Sequence, residues 1–213
     1  MAIAPIALAT EDVLSESIGQ RLLAELPPVF LPPLLLRRDG AGYLRAGMNK
    51  WRQLAQRQAV VVLTDLDNLA CPLALLDNWY GAGSRPPDLL LRVAVREAEA
   101  WLLADHDAMK QLLGASAVLP PDPDRLPDPK QHLLQLARRA PRDVRRDLVK
   151  EAGAVSSQGI GYNARLTSLV SGAWSPERAA QRSPSLGRAR VRLAQLAQRR
   201  MARPGPAAGL TAR

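Results

Sequence analysis

Residues 59–65, AVVVLTD, constrain the fold of this chain more than any other stretch. A short, unbroken apolar run rich in β-branched residues is the pattern of a strand covered on both faces. A strand covered on both faces needs a layer of helices above and below it, which is the layering of a parallel α/β sheet. The run ends in acid, and acids continue beyond it in LTDLDN (63–68). Open α/β sheets bind ligands outside the carboxyl ends of their strands, so Asp65 and Asp67 stand where chemistry is done.

Three further runs fit the same sheet: IAPIALA (3–9), VFLPPLLL (29–36) and LLLRVAV (89–95). The two prolines in the second make it an edge strand or strand fragments, because proline cannot donate to a ladder. Between the runs lie helical patterns. Residues 13–26 carry Val13, Leu14, Ile18, Leu22, Leu23 and Leu26 at helical spacing, closed by Pro27 and Pro28. MNKWRQLAQRQ (48–58) and EAEAWLLAD (97–105) read as helices, while the Gly-rich basic stretch 37–47 and the Trp79–Tyr80 region read as loops. Strand–helix alternation predicts a Rossmann-like α/β core with a parallel sheet of about four strands and helices on both faces. The Pro/Asp-rich stretch 118–130 is a connector, and the segments after it are helical in pattern. The expected organisation is a core over 1–117, a helical basic extension over 118–200 packed on that core, and a disordered tail over 201–213.

Charge divides the same way. Residues 1–137 hold 13 Lys/Arg and 16 Asp/Glu, and residues 138–213 hold 16 Lys/Arg and 4 Asp/Glu. An acidic half beside a basic half suits a metal-dependent enzyme acting on phosphates, although an Arg-rich composition also follows from a GC-rich genome. The single cysteine, Cys71, allows no disulfide within the chain and fits a reducing, cytoplasmic setting. The first residues lack the basic region of a signal peptide, and no run of 18 apolar residues exists, so no membrane partner is expected.

Three acidic motifs fall at three strand ends: Glu11 after the first, Asp65 and Asp67 after the third, Glu97 and Glu99 after the fourth. Carboxylates are hard oxygen ligands, and Mg²⁺ is usually held by a few of them together with water and substrate phosphate. Asp-x-Asp pairs also cap helices and fill turns, and Glu11 and Glu97 also suit helix starts. Glu97 and Glu99 lie two apart, so at most one is expected to face the site fully.

In these motifs the chain resembles the TOPRIM-like proteins catalogued as domain of unknown function 4276, distant relatives of the nuclease domains of the OLD (overcoming lysogenization defect) family. The resemblance is carried by ATEDVLSES (9–17), GAGYLRAGMNKW (40–51), VVVLTDLDN (60–68), LRVAVREAEAWLLAD (91–105), LPDPK (126–130), GYNARL (161–166) and SPSLGRA (183–189). It implies a TOPRIM core whose first-strand Glu is Glu11, whose Asp-x-Asp is Asp65 and Asp67, and in which Glu99 ranks above Glu97. It implies Mg²⁺ (or Mn²⁺) as cofactor, nucleic acid as substrate, and a separate ABC- or SMC-like ATPase as partner in defence against phage or mobile elements. Many TOPRIM motifs have Gly directly after the first Glu, where this chain has Asp12.

Other residues complete the expectation. Lys130 near the metals would neutralise charge developing on the scissile phosphate, or else be a solvated helix-start lysine. Tyr162 would contact a phosphate or base from a Gly-rich loop, with Asn163 as a helix cap. Arg188, Arg190 and Arg192 would line a nucleic-acid backbone groove, or form a solvated helix face. Ser183 before Pro184 is a helix-start signal. Trp79 and Tyr80 would stack on a base if they lay in a loop. GAGYLRAG does not fit a Walker A pattern, so no nucleoside-triphosphate site is expected. His106 and His132 read as surface residues. The leading function is a Mg²⁺-dependent endonuclease. The competing ones are a non-catalytic interaction subunit on the same fold and, less favoured, primase- or phosphatase-like chemistry.

Overall fold

The computed structural model describes residues 3–38, 40–150 and 158–202. Four strands, β1 (Ile6–Thr10), β2 (Leu34–Arg37), β3 (Ala59–Asp65) and β4 (Leu89–Ala94), form one all-parallel sheet in the order β2-β1-β3-β4. The helices of the first half are α1 (Val13–Ala24), α2 (Ala41–Ala46), α3 (Met48–Ala55), α4 (Pro72–Tyr80), α5 (Ala98–Leu103) and α6 (His106–Leu113). Those of the second half are α7 (Pro129–Ala137), α8 (Arg142–Leu148), α9 (Tyr162–Ser171), α10 (Pro176–Ala180) and α11 (Pro184–Ala202). The α/β sheet with a mainly helical continuation is the architecture read from the sequence. The expected disordered tail falls, beyond Ala202, outside the described residues.

Each face of the sheet has its own core. On one face Val60, Val62 and Leu91 pack under Leu44, Trp51 and Leu75 from α2, α3 and α4. On the other, Leu8, Val61 and Leu63 meet α1 and the helices of the second half, through Trp101, Leu166, Trp174 and Leu193. The basic extension is therefore the layer that covers one face of the sheet. The pleat makes this division, because alternate residues of β3 go to opposite faces.

The 29–36 run lies at the sheet edge in fragments, as its prolines require: Phe30 makes an isolated bridge to Ala4, and β2 starts at Leu34, beyond both prolines. Three other local expectations are corrected. GAGYLRAG contains helix α2, entered through Gly40 at φ 86°. Trp79 and Tyr80 end α4 and are buried, so neither ring is presented for stacking on a base. Helix α4 starts with Cys71 as N-cap and Pro72 in its first turn, a start signal hidden by the apolar residues around it. Ser183 does open α11, its hydroxyl accepting from the Leu186 N–H at 3.2 Å. His106 and His132 are half-buried rather than surface residues, and the His106 ring lies 3.0 Å from the Pro120 carbonyl.

Helix α5 is enclosed along its whole length, with all six residues buried. It is held by groups from far along the chain. Trp101 Nε1 donates to Ser185 Oγ at 2.7 Å, and Trp174 Nε1 donates to the Trp101 carbonyl at 3.1 Å. Asp105, fully buried just beyond it, accepts from the Ser175 N–H and from the Arg178 guanidinium. Arg178 is 39% exposed, so removing it costs about 1–3 kcal/mol, the penalty of leaving part of the buried Asp105 carboxylate unsatisfied.

Candidate active site: carboxylates at the ends of three parallel strands

Register places the acids side by side. Thr10 pairs with Leu63 and Asp65 with Ala94, so Glu11 emerges beside the end of β3 and Glu97 and Glu99 follow the end of β4. Glu11 Oε1 accepts from the Asp65 backbone N–H at 2.9 Å and from Thr64 Oγ1 at 3.3 Å. Asp65 Oδ1 accepts from the Ala98 N–H, at the start of α5, at 2.9 Å. One carboxylate thus ties β1 to β3, and the next ties β3 to α5. Asp67 lies beyond them on an exposed loop at φ 50°, a left-handed conformation that Asp tolerates better than most residues. The Arg96 guanidinium steadies that loop by donating to the Asp67 and Leu69 carbonyls.

Glu97 and Glu99 take different roles, as their spacing requires. Glu97 Oε2 accepts from the Lys130 backbone N–H at 2.9 Å, which fastens the start of α7 to the start of α5. Glu99 is 5% exposed, and the Tyr162 hydroxyl donates to its Oε1 at 2.6 Å. The Lys130 ammonium lies 5.4 Å from the centre of the Tyr162 ring, a cation–π approach. Lys130 is therefore held against the acidic cluster rather than pointing freely to solvent.

Tyr162 is corrected by this geometry. It is 2% exposed, and its hydroxyl is used by Glu99, so it does not lie on a nucleic-acid surface. Its N-cap is Gly161, and Asn163 stands inside the first turn of α9 rather than capping it. Asp12 also finds its role. It caps α1 by accepting from the Ser15 N–H at 2.7 Å, with extended backbone at φ −144°, so the position has no need of glycine.

Packing several carboxylates into one half-dry site raises their pKa values. Burial holds Asp65 well above the usual carboxylate range, and the charges of Glu11, Glu99, Asp12 and Asp67 add to it. Burial pushes Glu99 up to about 6 against the opposing Tyr162 hydrogen bond. Burial raises Glu11 too, reinforced by Asp67 and Asp12 and opposed by its hydrogen bonds from Asp65 and Thr64. Glu97 is raised by burial, with the Lys130 N–H acting against it. Burial and neighbouring Glu99 push the Tyr162 phenol upward, so it stays a protonated donor.

The donor chemistry fits a hard divalent cation. Among the described residues the Asp67 carboxylate and the second oxygens of Glu11, Asp65 and Glu99 accept no protein hydrogen bond. Yet no group of three or more His, Cys, Asp or Glu side chains among the described residues is drawn together as a ready-made metal cage.

The arginines of α11 do not act as a set. Arg190 pairs with Glu25 at 3.0 Å, whereas Arg188 and Arg192 face a cleft beside β4 that they share with Arg92. Arg92 was not singled out from the sequence, although a lone charge within LLLRVAV was the available signal. The chain matches no protein-family model, no curated protein and no solved structure.

Proposed function

We propose that this chain is a Mg²⁺-dependent phosphodiesterase of TOPRIM type that cleaves nucleic acid. The observation that carries the reading is the approach of Glu11 and Glu99 to Asp65, from three separate strand ends, with burial raising the pKa of all three. Proteins concentrate carboxylates perturbed in this way at functional sites. Asp65, Asp67 and Glu11 would hold the ion, with Glu99 behind them. When bound, the ion would supply Lewis-acid stabilisation of charge on a phosphoryl oxygen.

The chain's own residues have complementary tasks. Glu99, with its pKa near neutrality, is suited to holding or releasing a proton at Oε2. Tyr162 positions that carboxylate through Oε1, and Lys130, fixed by its backbone to Glu97, places positive charge beside the acids. The resemblance in motifs adds a setting: an effector working with a separate ABC- or SMC-like ATPase in defence against phage or mobile elements. A second reading, an interaction subunit without catalysis, draws on the apolar surface of Leu31, Leu34 and Leu35 along the β2 edge.

Thermal melting with MgCl₂ or MnCl₂, followed by incubation with DNA and RNA panels, tests the reading. Divalent ions raise the melting temperature of the wild type by mass action, and Asp65→Asn loses both that rise and any cleavage. Asp65→Asn without metal melts at or above the wild-type temperature, because like-charge repulsion is relieved. A wild-type protein indifferent to either ion sinks the enzyme reading and favours the interaction subunit.

A further inference from the structure

Among the described residues β4 has no strand on its outer side. Helix α4 flanks that edge on one face of the sheet and α11 on the other, leaving a cleft of about 960 Å³ between them. Arg92 rises from the floor, and Arg188 and Arg192 project from α11. The lining contains no acid, and none of these three arginines has a carboxylate partner among the described residues. Elsewhere on α11 Arg190 pairs with Glu25 and Arg200 with Asp88, whereas Arg92 donates only to the neutral Leu91 carbonyl and Arg192 only to Gln195 Oε1. Burial lowers the pKa of half-buried Arg92, and the two neighbouring arginines of α11 add to that shift. Three uncompensated guanidiniums around one cleft form a receptor for a polyanion.

The walls narrow the choice of anion. Leu73 is 70% exposed and Val191 57% exposed, and with Leu76 they give the cleft apolar sides. A ligand that presents anionic groups and apolar faces together fits these walls, and the unpaired nucleotides of a single strand do so, here against aliphatic side chains in place of the aromatic rings of other single-strand grooves. A duplex keeps its base faces stacked inside and would leave these walls bare. Arg188 and Arg192 stand one turn apart, about 6 Å along the helix, which suits successive phosphates better than one.

The cleft also has a direction. Ser185 ties the start of α11 to Trp101, near the carboxyl ends of the strands, while Arg200 ties its end to Asp88 before β4. Cys71 and Pro72, at the end of the loop that carries Asp67, line the cleft as well. A strand lying in it would run towards the acidic cluster.

We propose that the cleft between α4 and α11 holds a single-stranded segment of nucleic acid, with its phosphates on Arg92, Arg188 and Arg192 and its bases against Leu73, Leu76 and Val191. The proposal rests on nucleic acid being the substrate of the acidic site, but the two are separable. The probe is a fluorescent oligothymidylate of about 16 nucleotides, the upper end of what one such groove spans. Its anisotropy is followed against full-length protein in EDTA at several salt concentrations.

The triple variant R92Q/R188Q/R192Q binds at least about tenfold more weakly and loses about 2 from the slope of log affinity against log salt. R138Q/R139Q/R142Q, which removes the same charge from exposed arginines elsewhere, keeps the wild-type affinity and slope. L73D weakens binding from the apolar side, and R92Q alone serves if the triple variant fails to fold by circular dichroism. The proposal is overturned if the triple variant binds like the wild type or if the control triple loses as much. It is equally overturned if a duplex of the same length, or poly-glutamate, occupies the cleft with the same affinity and the same dependence on the three arginines. Asp65→Asn separates the two sites. If it binds the oligonucleotide normally while the wild type ignores divalent metal, the enzyme reading fails and the cleft stands. If the arginine triple binds like the wild type while metal stabilisation is intact, the cleft fails and the enzyme reading stands.

Discussion

The hydroxyl of Tyr162 donates to Glu99 Oε1 at 2.6 Å across 63 positions of sequence, with both residues buried. This bond joins the helical second half of the chain to the acids that close the sheet. It also leaves Glu99 with one satisfied oxygen and one open.

Tyr162→Phe keeps the ring under Lys130 and deletes only the donor. A charged hydrogen bond inside the protein is then lost, so the variant is less stable at pH 7.5 by about 1–3 kcal/mol. The pKa of Glu99 moves further above about 6, because the deleted bond acts downward. Urea denaturation measures the first effect, and a carbon-13 carboxyl titration of Glu99 measures the second. An unchanged Glu99 titration would refute the positioning role of the phenol.

Stability without metal falls as pH rises from about 4.5 through about 6. Glu99 is raised from 4.5 to about 6, so its folded form favours the proton, and its contribution is complete below pH 4.5 and lost as pH passes about 6. Asp65, Glu11 and Glu97 shift in the same direction. Glu99 alone accounts for about 2 kcal/mol. The urea midpoint at pH 5 therefore exceeds that at pH 7.5, and Glu99→Gln flattens the difference. Asp147, shifted downward by Arg165, titrates below this window and does not oppose the trend. Saturating Mg²⁺ reverses the sign, because ligand carboxylates must be ionised to hold it.

Gly19 sets how closely α1 lies on β1. A Cβ built there would stand 2.7 Å from Leu8 Cδ2 and 2.8 Å from Leu8 Cδ1. Leu8 is fully buried and has no free direction in which to yield. Gly19→Ala therefore destabilises by about 1–3 kcal/mol through overpacking, although alanine is the better helix former. A lowered urea midpoint with an unchanged m-value is the expected record. A midpoint at or above the wild type would show that the β1–α1 contact is softer than its geometry.

The parallel sheet was legible because β3 and β4 carry their own pattern: Val60–Val62 can only be buried on both faces. Glu11, Asp65 and Glu99 were legible because a strand end fixes where the next residue goes. Tyr162, the connection of Lys130 to Glu97, and Arg92 were not. The bonds of Lys130 to Glu97 and of Tyr162 to Glu99 span 33 and 63 positions, and no local periodicity encodes such distances; Arg92 had a local signal, but not the cleft it shares with α11. Helices α2 and α4 were missed for the opposite reason. Gly-rich and all-apolar segments lack the polar–apolar contrast that marks a helix face.

The enclosure of α5 has a consequence for how the molecule comes into being. Its neighbours Lys130, Tyr162, Trp174 and Ser185 all follow it in the chain. A ribosome that has just released residue 105 has already made every carboxylate of the cluster and none of these four residues. Glu99 has no phenol to meet, and Trp101 has no hydroxyl for its indole. The nascent fragment then holds acids on an unfinished framework, and the cluster takes its final shape only after α11 begins. A cut anywhere in the second half would likewise undo the site while leaving all of its acids in place.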